Sequence, residues 1–278
     1  MRKNVLLPGA ALLAGMVGFA LRKWELAAAF EPDTGLSIPG APATLVLIAW
    51  SVLAAAVLIL LTRRGGESRP FDETFAADGS PLYLTASVVS AFLLLASAGA
   101  EVVTYPLTMQ SVLPVEEGGS RLAMLLPGLR IGLCVLGFVC VLAVTQNLYR
   151  GRGRGRESLA LLGLCLLFCV WLISDYQGRA ADPVILDYAY EIFAIITGLL
   201  GIYFITGYSF QTGKPWRTAS LCLLGAYFSL VTLADRHNLA DIFRYAFTVL
   251  FLTSHTVLLL REHPAGETPA ETEVSHHV

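Results

Sequence analysis

Charge is what this chain has least of. Only 14% of its 278 residues are Asp, Glu, Lys or Arg, against about a quarter in an average soluble domain. So few charged groups cannot cover a water-facing surface, which argues against a soluble globular enzyme of this length. Catalytic signatures are missing as well. There is no Gly-x-x-x-x-Gly-Lys-Ser/Thr loop, no His-Glu-x-x-His and no Gly-x-Ser-x-Gly. P-loop nucleotide hydrolysis, zinc proteolysis and nucleophile-elbow acyl transfer therefore have no support. Proton-coupled carriers need no such motif and are left open. An Asp33-Thr34-Gly35 triplet has no matching second aspartate to form a proton-sharing dyad, and it reads as a turn.

Cysteine is sparse and badly placed for cross-linking. Cys134, Cys140, Cys165, Cys169 and Cys222 all lie inside apolar runs, with none in a connector. That pattern is not a disulfide framework. Cys165 and Cys169, four residues apart, share a helix face and read as small packing residues rather than a metal or redox pair. No cofactor and no metal site is read from the sequence. His276 and His277 sit at a terminus too loose to hold an ion.

Apolar length, by contrast, is abundant. Hydrophobic residues make up 55% of the chain and the mean hydropathy is +0.66. Eight stretches, at about 4–21, 42–62, 82–103, 125–148, 158–175, 185–209, 217–234 and 241–260, are each about long enough to cross a bilayer. They are rich in Leu, Ala, Val and Ile and lack the ten-residue alternation of an outer-membrane barrel. Within lipid each segment must satisfy its own backbone, so helices are expected. The fold class is an all-α integral membrane protein, a polytopic bundle of about eight transmembrane helices. Residues 1–263 form the bundle, and residues 264–278 form an acidic cytoplasmic tail expected to be disordered.

Lys and Arg in the connectors set the orientation. With the N-terminus inside, the inner connectors hold twelve: Arg2, Lys3, Arg63, Arg64, Arg69, Arg150, Arg152, Arg154, Arg156, Lys214, Arg217 and Arg261. The outer connectors hold five: Arg22, Lys23, Arg121, Arg179 and Arg236. Both termini are therefore expected in the cytoplasm, with the bundle in the plasma membrane. The first stretch has a second reading. Met1-Arg2-Lys3, an apolar run and Gly18-Phe19-Ala20 also describe a cleavable signal peptide, though the run exceeds the usual length of about 7–15 residues. Cleavage would leave seven spans. Residues 65–80 read as a cytoplasmic loop. The Gly151–Arg156 run reads as a positive-inside signal in contact with anionic headgroups, too short for nucleic acid. Gly128 and Gly132 read as a helix-packing pair.

The last two pairs of spans echo one another. Ser174-Asp175, Ala181-Asp182 and Tyr188-Ala189-Tyr190 recur as Ala234-Asp235, Ala240-Asp241 and Tyr245-Ala246-Phe247, a possible repeat of helical hairpins. An Asp at a helix start is favoured as a cap and by the helix dipole.

Polar residues near the outer span ends are the candidate binding site: Glu101, Arg130, Asp175, Tyr188, Glu191, Asp235, Arg236 and Arg244, with Glu25 at similar height. Ionisable groups at membrane depth usually pair, face the bundle interior or line a wet cavity. Arg presents a planar donor fork suited to carboxylate or phosphate, so a small polar or anionic solute fits an outer-side pocket. Two accounts compete. The charges converge on that pocket, or they are structural ion pairs and side chains reaching for the headgroups. The leading functional reading is a protein that binds or transports a small polar or anionic solute. Its partners are then the lipid bilayer, that solute and a possible membrane protein, with no nucleic acid. The alternatives are a non-catalytic subunit or sensor working through a partner, and an intramembrane enzyme using Asp175 or Asp235 as general base on a lipid-linked substrate.

Overall fold

A computed structural model of the chain describes residues 3–31, 36–63, 70–77, 80–112, 121–150, 157–179 and 184–261. The Asp33-Thr34-Gly35 triplet, the Gly151–Arg156 run, Ala181-Asp182, residues 264–278 and the terminal histidines lie outside the described residues. Those described form helices α1 (Lys3–Ala28), α2 (Pro42–Thr62), α3 (Phe71–Thr74), α4 (Pro81–Val112), α5 (Arg121–Arg150), α6 (Glu157–Arg179), α7 (Ile185–Ser209), α8 (Pro215–Thr232) and α9 (Leu239–Leu259). The only strand-like pairing among them is an isolated bridge from Phe30 to Ser37. This is an all-α polytopic membrane bundle.

Seven of these helices are long and apolar enough to cross a membrane. The exception among the expected eight is α8, which is also the helix most surrounded by others. It packs against α1, α2, α7 and α9, and 12 of its 18 residues are buried. A helix that faces other helices has less need of an oily surface. The same trade appears between α2 and α9. The membrane-length window of α2 has a mean hydropathy of 2.7 and is 28% buried within the bundle; that of α9 has 1.5 and is 67% buried. Apolar surface goes where the lipid is, and polar groups go where neighbouring helices meet them.

Close packing at the centre depends on two glycines. A methyl group on Gly225 of α8 would lie 3.2 Å from the backbone nitrogen of Gly198 on α7, and one on Gly198 would lie 2.7 Å from the Phe168 ring. The expected pair, Gly128 and Gly132, does no such work. Nothing lies within 4 Å of a methyl group at Gly132, and only the Tyr105 hydroxyl approaches Gly128, at 4.0 Å. All five cysteines are free thiols; Cys134 and Cys222 are buried.

Two expected boundaries move. The first helix does not stop near residue 21 but runs to Ala28, so Arg22, Lys23 and Glu25 are helical rather than in a connector. Arg22 and Glu25 lie one turn apart and pair with each other, so the chain passes its first charges without leaving the helix. The segment 65–80 is also more than a polar loop. Within it Phe71 of α3 and Phe75, which ends that helix, enter the main core cluster. Phe75 sits edge-on to Tyr208 at 5.3 Å and against His255 at 5.9 Å. His255 is buried, with Nδ1 2.8 Å from the Phe251 carbonyl and Nε2 3.2 Å from the Tyr83 hydroxyl. It is a satisfied core histidine.

Candidate functional site

The opposite end of the bundle is built differently. There α1, α6 and α8 end, α7 and α9 begin, and α4 and α5 pass by, so acidic and basic side chains from six helices and the α8–α9 connector meet at similar height. They sort into three ion-pair networks.

The deepest network centres on Glu101 of α4. One carboxylate oxygen accepts from Arg130 of α5, and the other accepts from Arg244 Nη1 of α9 at 2.7 Å. Arg244 also donates to Asp241 one turn earlier, and its guanidinium lies 5.2 Å from the Trp171 ring centre. Arg130 donates in turn to Ser174 Oγ at 3.0 Å. Four helices are thereby tied through one glutamate. Arg244 and Glu101 are almost fully buried, which is tolerable only because each charge has its counter-charge.

The second network joins α1 to α7 and α8. Arg22, fully buried, donates to Glu25 Oε2 at 2.6 Å, to Asp235 Oδ1 at 2.7 Å and to the Asp187 carbonyl at 2.8 Å. Tyr190 lies beneath its guanidinium at 5.3 Å. Thr232 Oγ1 donates to the other oxygen of Asp235. Asp235, in the α8–α9 connector, has its carboxyl pushed above the usual range by burial, against the pull of Arg22.

The third network staples α6 to α7. Arg179 reaches Glu191 Oε1 at 2.8 Å and Asp187 Oδ2 at 3.4 Å. His237, in the α8–α9 connector, completes it. Its Nε2 lies 2.6 Å from the Thr232 carbonyl, which can only accept, so Nε2 carries a proton. Its Nδ1 then faces Glu191 Oε1 at 3.3 Å, a contact that is attractive only with a further proton between them.

Between the first and third networks lies a partly open cavity of about 320 Å³. Its walls are Ser174, Asp175, Gly178 and Arg179 from the last turns of α6, Glu191 from α7, and Arg236, His237, Asn238 and Asp241 around the start of α9. Three carboxylates and three basic side chains face one space, but most are already committed. Asp241 belongs to Arg244, and Glu191 belongs to Arg179. Among the described residues Asp175 makes no hydrogen bond or ion pair; it feels the charges of Asp241, Glu191, Arg244, Arg130 and Arg179 at longer range. Arg236, exposed, likewise makes no ion pair among them.

The eight residues singled out from the sequence thus separate. Asp175, Glu191 and Arg236 line the cavity. Glu101, Arg130 and Arg244 form the network behind it, and Asp235 is taken by Arg22. Tyr188 is half-buried and does not line the cavity. Ser174, Gly178, Arg179, His237, Asn238 and Asp241 complete the walls without having been singled out as site residues. Asp241 carried a readable signal, since it stands three residues before Arg244 on one helix face. Arg179 and His237 carried none, because their partners come from other helices. No family model, curated protein or solved structure matches the chain.

Proposed function

We propose that this chain is a membrane protein that binds or transports a small polar solute, held in the cavity between α6, α7 and α9. One observation carries the reading. Six carboxylates at this end of the bundle, Glu25, Glu101, Asp187, Glu191, Asp235 and Asp241, are each paired with an arginine. Asp175 faces the cavity without such a partner. An uncommitted carboxylate held on a rigid helix beside an arginine without an ion pair is poised to take its counter-charge from a solute. About 320 Å³ lies at the small end of ligand pockets, which favours a solute of metabolite size. The excess of Lys and Arg in the opposite connectors supports a plasma-membrane orientation with the cavity opening outward.

Gly178 offers a test that leaves every charge in place. Its added methyl would meet nothing within 4 Å, so Gly178→Trp grows into open space on the cavity wall. In detergent, wild-type protein should be thermally stabilised by one chemical class within a panel of amino acids, amines, carboxylates and sugars. Gly178→Trp should insert and elute normally but lose that stabilisation. Equal stabilisation of both proteins would remove the cavity from consideration.

A further inference from the structure

The cavity presents two opposite electrostatic walls. One is the C-terminal end of α6, where the last carbonyl groups point out of the helix and Asp175 adds its carboxyl group. The other is the start of α9, where the first N–H groups point out and Arg236 precedes them. Asn238 caps α9 by accepting from the Asp241 N–H at 2.8 Å, and its amide nitrogen remains available at the rim. The other charges on the walls are neutralised internally, as the Arg179–Glu191 and Arg244–Asp241 pairs show. What remains for a ligand is one negative group on the α6 side and one positive group on the α9 side, further apart than a direct ion pair.

We infer that the cavity selects a zwitterion, a solute bearing an ammonium and a carboxylate a few bonds apart. Its ammonium faces Asp175 and its carboxylate faces Arg236. A simple anion has only the Arg236 side to engage and meets Asp175 as a like charge. The buried arginines that make an anion attractive from sequence, Arg130 and Arg244, are both held by Glu101. A simple cation leaves Arg236 without its counter-ion. Only a molecule with both charges satisfies both walls, and its dipole then aligns with those of the two helix ends. This inference rests on the cavity being the binding site.

The test uses matched sets of three compounds: an α-amino acid, its decarboxylated amine and its N-acetylated acid, with alanine, serine, leucine and glutamine as parents. Binding to the purified full-length protein in nanodiscs is followed by calorimetry and thermal shift. At least one parent amino acid should bind, with its amine and its N-acetyl acid each about 10- to 100-fold weaker, the penalty for leaving one charge unmatched. Asp175→Asn should erase the preference over the N-acetyl acid, and Arg236→Gln the preference over the amine. Neither change breaks an ion pair, so both variants should keep the wild-type melting temperature. An N-acetyl acid or an amine binding as well as its parent overturns the zwitterion assignment. So does silence from every set. In either case, stabilisation by any other solute that Gly178→Trp abolishes leaves the cavity itself standing.

Discussion

Arg244 is the side chain on which the site end most depends. It is buried and paired to two carboxylates while its Nε has no hydrogen-bond partner. Removing one member of such a network leaves the others buried and unpaired, at a cost of about 3–5 kcal/mol. Arg244→Ala and Glu101→Ala should therefore sharply lower thermal stability in detergent, whatever ligand is present. Asp175→Asn should leave it unchanged, because no partner is orphaned. Scanning-fluorimetry curves of the three variants against wild type decide the point, and a stable Arg244→Ala would refute the account of the network. The same contrast marks how far single residues could be read from the sequence. Glu101, Arg130 and Arg244 stood out because charges inside apolar runs demand an explanation. Which of them face each other and which face a cavity depends on helix rotation and neighbours, and a linear pattern does not encode those. Arg22 looked like a connector charge and instead donates from all three of its nitrogens, to Asp235, Glu25 and the Asp187 carbonyl.

At the scale of helices, α1 bears directly on the question of processing. Gly15 and Gly18 sit against Leu230 and Val231 of α8, where an added methyl would come within 2.7 and 2.6 Å of those side chains. Arg22, at the far end of α1, supplies the cation for Asp235. Cleavage after residue 20 would strip the central helix of this packing. An N-terminal epitope tag should accordingly remain on the mature membrane-inserted protein, at full length on a denaturing gel; quantitative loss of the tag would show a signal peptide after all. Helix positions were largely legible because a membrane span needs a long apolar run, and each of the eight expected runs contains a helix. The ends were less so. Ion pairing of Arg22 with Glu25 and Asp235 carried α1 past residue 21, and the short helix α3 with the residue that ends it buries Phe71 and Phe75 in what reads as a polar loop. The i,i+3 spacing of Arg22 and Glu25 is a local trace of the first event; the burial of the phenylalanines has none.

For the whole molecule, the threading is the broadest claim. With twelve basic residues on one side and five on the other, single cysteines at Arg236 and at Arg217, in a variant lacking the five native cysteines, should label oppositely. An impermeant maleimide added to intact cells should reach position 236 and not 217. The reverse result would invert the bundle and turn the cavity toward the cytoplasm. The burial of α8 carries a consequence for biogenesis. A segment whose surface is fitted to protein rather than to lipid has little drive to leave the translocation channel alone. It must wait there, or enter with α7 and α9 as one unit, so the hairpins on either side act as its escorts. Chains halted during synthesis just after Thr232 would then expose a stranded segment to quality-control proteases, while chains reaching Leu259 would be safe.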